Sequence, residues 1–273
     1  MAHGVHARVG EVRVVCVTQR HPGVPEPVLD GVSLLVPAGE ALALVGPAAA
    51  GKTALLHLVS GVEPPADGRV LLDGEDVAGL SPRRRGVAVV GGYRLYPFLD
   101  VAANVAFGLR ADASPPPGRG LPSASPAGTA RRVRDALELV GLGDYARRRP
   151  PQLAPSHRQR AAIARALVTR PRVLLLDDPL AQLPDEAPRV RLGEDLRLLH
   201  RQLGITMIYA TRSGDEASAV ADRVAVLTGG RQLLEARPAQ DATVRPELPT
   251  NDPAAPGTLL APADSPQAGA PAA

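Results

Sequence analysis

Eight consecutive residues, Gly46 to Thr53 (GPAAAGKT), fit the spacing G-x-x-x-x-G-K-[ST]. The chemistry that needs this spacing is phosphate binding. Glycines at the first and sixth places let the backbone curl, so successive N–H groups can point at phosphate oxygens. A lysine after the second glycine reaches the β/γ-phosphates, and the following hydroxyl can ligate Mg²⁺. Lys52 stands out on a second ground: it is the only lysine among 31 basic residues, the rest being arginine. A chain rich in Ala, Pro, Gly and Arg reflects a GC-rich coding bias, and a residue that resists the bias carries information. A chance match in a glycine-rich chain is the competing reading, and the lone lysine at the required place counts against it.

A second run supports the first. VLLLDDP, Val173 to Pro179, is an apolar strand ending in two carboxylates. Asp177 is placed to hold Mg²⁺ directly or through water, and Asp178 to act on a water. Alone, such a run is often just a strand followed by a turn. Paired with the upstream glycine loop it predicts a nucleotide site. The candidate cradle is Gly46, Pro47, Ala48, Ala49, Ala50, Gly51, Lys52, Thr53 and Ala54; the metal ligands are Thr53 and Asp177; the catalytic pair is Asp178 with Lys52.

These residues need a scaffold. Short β-rich runs occur at Val12–Val17, Val32–Val36, Ala41–Val45, Val70–Leu72 and Val87–Val90, and again at Val173–Leu176, Met207–Ala210 and Val224–Leu227. Helical periodicity appears over 131–168, where Val133, Leu137 and Val140 share a face, as do Ile163 and Leu167. Strands alternating with helices imply βαβ units and a mainly parallel sheet. Residues 112–129 (DASPPPGRGLPSASPAGT) and 247–273 are Pro-, Ala- and Ser-rich and are expected to be disordered.

Composition excludes several classes. The chain has 273 residues, enough for one sizeable core, and its one cysteine, Cys16, rules out an internal disulfide. A net charge of +3 is too small to call for nucleic acid. No apolar run spans a bilayer and the N-terminus has no apolar signal region, so a cytoplasmic protein is expected. Cys16 reads as a core residue of its strand, Arg83–Arg85 and Arg147–Arg149 as solvated faces, and His57 and His200 as helical residues without metal-ligand spacing.

Taken in order, GPAAAGKT, YPFLDVAANVAFGLR, LAPSHRQRAAIARAL, VLLLDDPLAQL and ADRVAVLTGGR resemble the ATP-binding subunit of ABC transporters, nearest the carbohydrate-importer type. The resemblance covers most of residues 10–245. It implies a P-loop NTPase core with a mainly parallel sheet, an antiparallel β subdomain and an inserted helical subdomain at about 93–170, all within residues 1–246. It implies ATP and Mg²⁺ as ligands, a homodimer or a heterodimer with another ATPase subunit, and transmembrane permease subunits as partners. Localisation would be peripheral, on the inner face of the cell membrane. Leu95–Arg110 is the docking segment that the resemblance implies.

Several positions depart from the family pattern. The LSGGQ signature reads LAPSH, Leu153 to His157, where Pro155 cannot donate an N–H and Ser156 is a candidate helix cap. Gly91 and Gly92 stand in place of a loop glutamine. The catalytic glutamate is Asp178, the switch histidine is Arg212, and the following loop ends in Pro184, with Pro188 close behind and expected to delay the next helix. His21 lies near the place of the adenine-stacking aromatic and reads equally as an ordinary loop residue. The losses fall on groups that sense or cleave the γ-phosphate. Weakened turnover is therefore expected, and a non-hydrolysing ATP-binding module is the alternative. A repair or translation ATPase would need coiled-coil insertions or paired domains, which are not visible. A P-loop kinase would not explain the helical lobe.

Overall fold

The computed structural model describes residues 10–21, 23, 25–110 and 125–236. Its order is β1 (Val12–Gln19), β2 (Leu29–Val36), β3 (Ala41–Val45), α1 (Lys52–Ser60), β4 (Asp67–Leu72), β5 (Glu75–Asp76), α2 (Pro82–Arg85) and β6 (Val87–Gly91). Then come α3 (Val101–Arg110), α4 (Pro126–Leu139), α5 (Pro155–Leu167), β7 (Val173–Asp177), α6 (Glu186–Leu203), β8 (Thr206–Thr211), α7 (Gly214–Val220), β9 (Arg223–Thr228) and β10 (Arg231–Ala236).

The strands form two sheets. One has four antiparallel strands in the order β2-β1-β4-β5. The other has six, β10-β9-β3-β8-β7-β6, parallel except for β10 at its edge. The parallel strands are apolar on both faces because both are covered. In β3, Ala41, Ala43 and Val45 face one core and Leu42 and Leu44 the other. In β7, Leu174 and Leu176 face the first and Val173 and Leu175 the second. The second core lies between the two sheets and holds Leu55, Leu56, Leu58 and Val59 of α1. The first is built from α3 to α7 and includes Tyr209, which is fully buried. The fold class is the one expected.

Five local expectations need correction. Residues 126–129 are not part of a disordered insert. They form the first turn of α4, because the Ser125 hydroxyl accepts from the Gly128 N–H and Pro126 sits at the first helical position, where its missing N–H costs nothing. Residues 111–124 and the expected tail at 247–273 lie outside the described residues. The helix α3 precedes the 131–168 periodicity and lies inside the helical subdomain that the resemblance implied.

Cys16 is exposed rather than in the core. The pairing of β1 shifts register between Val14 and Val17, and Cys16 takes φ 46°. Such a bulge breaks the in-out alternation that placed Cys16 inside. Ser156 does not cap α5; Ala154 is the capping position and makes no side-chain bond. Pro188 does not delay α6, which starts at Glu186 and carries the proline in its first turn, where no N–H is needed.

Arg85 is the fifth correction. It is 3% exposed, not solvated. Its guanidinium donates to the carbonyls of Leu58 (2.7 Å) and Val59 (3.0 Å) at the end of α1, and to Leu80 (2.9 Å). Burial lowers its pKa, with Asp76 opposing. Arg85→Met keeps the apolar stem but strips these buried carbonyls of their donors. The expected loss is about 2–3 kcal/mol of unfolding free energy in urea; an unchanged transition midpoint would mean that water replaces the guanidinium.

Candidate functional site

The glycine loop joins the carboxyl end of β3 to α1 and runs through a tight slot. A β-carbon at Gly46 would overlap the carbonyl oxygen of Leu227. One at Gly51 would lie 2.7 Å from Leu29 Cδ2 and 2.8 Å from the Val28 oxygen, and Gly51 has φ 96°. The curl is completed by Ala49 at φ 63° and by the Ala50 N–H bonding to Pro47 O (3.3 Å). Gly51 caps α1 without a side-chain bond, so the helix begins with N–H groups that no side chain occupies. Pro47, Ala48, Ala49 and Thr53 are exposed; Ala50, Lys52 and Ala54 are buried.

Three strand ends converge on this loop. Thr53 Oγ1 donates to Asp177 Oδ2 at 2.9 Å, linking α1 to β7. Lys52 Nζ donates to the carbonyls of Gly46 (2.7 Å) and Pro47 (2.8 Å). Burial pushes the Lys52 ammonium below its ordinary pKa; Asp178 and Asp177 pull it back up, and Arg212 adds to the lowering. Asp178 takes φ 46° and donates its N–H to Ala210 O. Its carboxylate pairs with Arg212 at 3.3 Å.

The loop carrying Arg212 is held from below. Thr211, 1% exposed, donates to Glu216 Oε2 at 2.7 Å, and the Ser213 hydroxyl accepts from the Glu216 N–H. The role of Glu216 was not read from the sequence, although Ser213 and Glu216 have the S-x-x-E spacing of a helix start.

The sequence-derived cradle, Gly46 to Ala54, therefore meets Asp177, Asp178 and Arg212 in one place. Leu153–His157 do not join it: among the described residues no hydrogen bond or ion pair links them to Lys52, Asp177 or Asp178. Pro155 occupies the first turn of α5, and His157 lies against the Tyr145 ring at 4.5 Å. Burial, then Arg160 and Arg148, lower the His157 pKa. His21 is exposed just past β1.

The donor set fits a magnesium ion carried with phosphates. Thr53 and Asp177 present two oxygens side by side, and among the described residues no cluster of three or more His, Cys, Asp or Glu side chains could cage a metal. Mg²⁺ typically takes one or two protein oxygens and completes its shell with water and substrate phosphate.

A family profile described as ABC transporter matches residues 29–181. The chain belongs to the ABC transporter family. A Salmonella choleraesuis ATP-binding protein, PhnT, named for 2-aminoethylphosphonate import, is 45% identical over 74% of this chain and 53% of its own length. A Frankia alni ATP-binding protein, PotA, named for spermidine/putrescine import, is 42% identical over 81% of this chain and 45% of its own. The chain thus spans about half the length of these ABC relatives. Neither is named for a carbohydrate, so the match is to importer ATPases generally and not to the carbohydrate type. A solved dimeric ATP-binding cassette, in a post-hydrolysis state with ADP and Pi, superposes with a TM-score of 0.71 at 25% identity, over 83% of this chain and 98% of that one.

Because Gly51 combines positive φ with a packed slot, Gly51→Ala is expected to cost about 1–3 kcal/mol of stability. It should also displace the loop and weaken Mg-ATP binding at least ~10-fold. Urea denaturation and titration with a fluorescent ATP analogue read the two effects; binding at wild-type strength would show that the curl does not set affinity.

Proposed function

We propose that the chain is the ATP-binding subunit of an ABC importer, binding Mg-ATP and driving transmembrane permease subunits by its binding and hydrolysis. The observation that carries this reading is the convergence of Lys52, the Thr53–Asp177 pair and Asp178 around one glycine loop. Residues 1–246 form the ATP-binding domain, with α3–α5 as its helical subdomain. Gly46 to Ala54 hold the phosphates through backbone N–H groups and the α1 terminus. Lys52 exchanges its carbonyl partners for phosphate oxygens, which also relieves its buried charge. Thr53 and Asp177 ligate Mg²⁺, which when bound neutralises phosphate charge. Asp178 orients and polarises the attacking water.

The import reading rests on the names of the relatives, and the dimeric neighbour supports pairing with a second copy or another ATPase subunit. No described helix is long and apolar enough to cross a membrane, so the partner supplies the attachment. Leu95–Arg110 is the docking segment. Phe98 and Phe107 are 68% and 38% exposed and both contact Tyr96. Buried Asn104 fixes that loop through bonds to the backbone of Tyr96, Leu99 and Asp100.

Turnover is slow in this reading. Arg212 occupies one oxygen of Asp178, and Pro155 offers no N–H at the start of α5. The same ion pair favours the second reading, an ATP-binding module without hydrolysis. Wild type, Lys52→Ala and Asp178→Asn separate them with Mg-ATP. The proposal expects binding lost in Lys52→Ala, and phosphate release well below about 1 s⁻¹ in wild type and abolished in Asp178→Asn. Binding without any release of phosphate establishes the second reading.

A further inference from the structure

Gln182 is an exposed side chain on a backbone segment that the fold anchors. The chain leaves β7 through two successive turns, with the Ala181 N–H bonded to Asp178 O (3.2 Å) and the Leu183 N–H to Leu180 O (3.0 Å). Leu180 and Leu183 are 1% and 3% exposed and anchor this segment on either side of Gln182. The carboxamide lies against Gly92: a β-carbon there would overlap Gln182 Nε2 and lie 3.2 Å from Cδ. Gly92 follows Gly91, which pairs in register with Asp177, and a β-carbon on Gly91 would sit 3.9 Å from that of Asp177. The amide is therefore seated at the carboxyl end of β6, beside the strand end that carries the carboxylate bonded to Thr53. Ligands of open parallel sheets bind outside these carboxyl ends. A carboxamide both donates and accepts, so it matches a terminal phosphate and a metal-bound water together.

We propose that Gln182 contacts the metal-bound end of the nucleoside triphosphate, Nε2 donating to the terminal phosphate and Oε1 accepting from a metal-bound water. This rests on the Mg-ATP reading above and assigns to that site a residue outside the glycine loop and the Asp177–Asp178 pair. Gly92 is the seat of the amide: any side chain there would push it away.

The test uses the full chain, titrated with Mg-ATP and Mg-ADP. Gln182→Ala is expected to weaken Mg-ATP on the order of 10-fold, the scale of one hydrogen bond to a charged group, while Mg-ADP stays within about twofold. Gly92→Ala, which displaces the amide, should give the same selectivity loss. The ATP-to-ADP ratio is the readout, because a merely structural defect would lower both nucleotides alike. Equal effects on both nucleotides, or none, in both variants would overturn the assignment. Lys52→Ala is the control for the underlying reading and should lose both. If wild type binds neither nucleotide, the Mg-ATP reading itself fails; if wild type binds both and the Gln182 and Gly92 variants match it, only the Gln182 role fails.

Discussion

The loop from Gly46 to Gly51 runs in a slot walled by main-chain oxygens and by the Leu29 side chain. Leu227 O closes on Gly46 from β9, and Val28 O and Leu29 close on Gly51 at the start of β2. The two walls are tied together where the Asp30 N–H bonds to Gly230 O and the Arg231 guanidinium pairs with Asp30. The glycine loop therefore sits where the two sheets meet. Backbone walls cannot swing away as side chains can, so the space permits glycine and little else. Everything downstream inherits this constraint: the entry of α1, the place of Lys52 and the approach of Thr53 to Asp177.

Charge is arranged around that fixed loop with little slack. One ammonium, one guanidinium and two carboxylates share the site, and the anions outweigh Arg212 in their pull on Lys52, while burial opposes them. A phosphate entering between Lys52 and Arg212 would meet two cations, one buried among carbonyls and one 61% exposed at its side chain. Arginine grips phosphate bidentately, yet it has no lone pair to accept a hydrogen bond.

Much of this was legible because local pattern and tertiary requirement coincide. The glycine spacing, the lone Lys52 and the apolar run into Asp177 are local patterns, and the fold brings those residues together. The parallel sheet was readable because strand runs alternate with helical patterns along the chain. What was not legible depended on distant partners. Arg85 looks like any arginine in a triplet until the end of α1 arrives beneath it. Cys16 turned outward because a one-residue bulge reverses alternation, and no local residue announces it. Gln182 and Gly92 lie far apart in sequence and acquire meaning only when β6 and β7 pair. Pro188 misled because proline breaks a helix interior but suits its first turn.

Arg85 has a wider bearing. The helix α1 has only nine residues, fewer than a helix needs to persist alone in water. In the proposed Mg-ATP reading its amino end receives an anion, and its carboxyl end is closed by a cation from α2, the favourable sense for both poles of the helix dipole. The two ends are thermodynamically linked: an anion that binds the ordered helix stabilises it, and the guanidinium raises the fraction of chains in which that helix is ordered. In that reading a residue remote from the phosphates belongs to their affinity, through the population of the state that binds them rather than through contact.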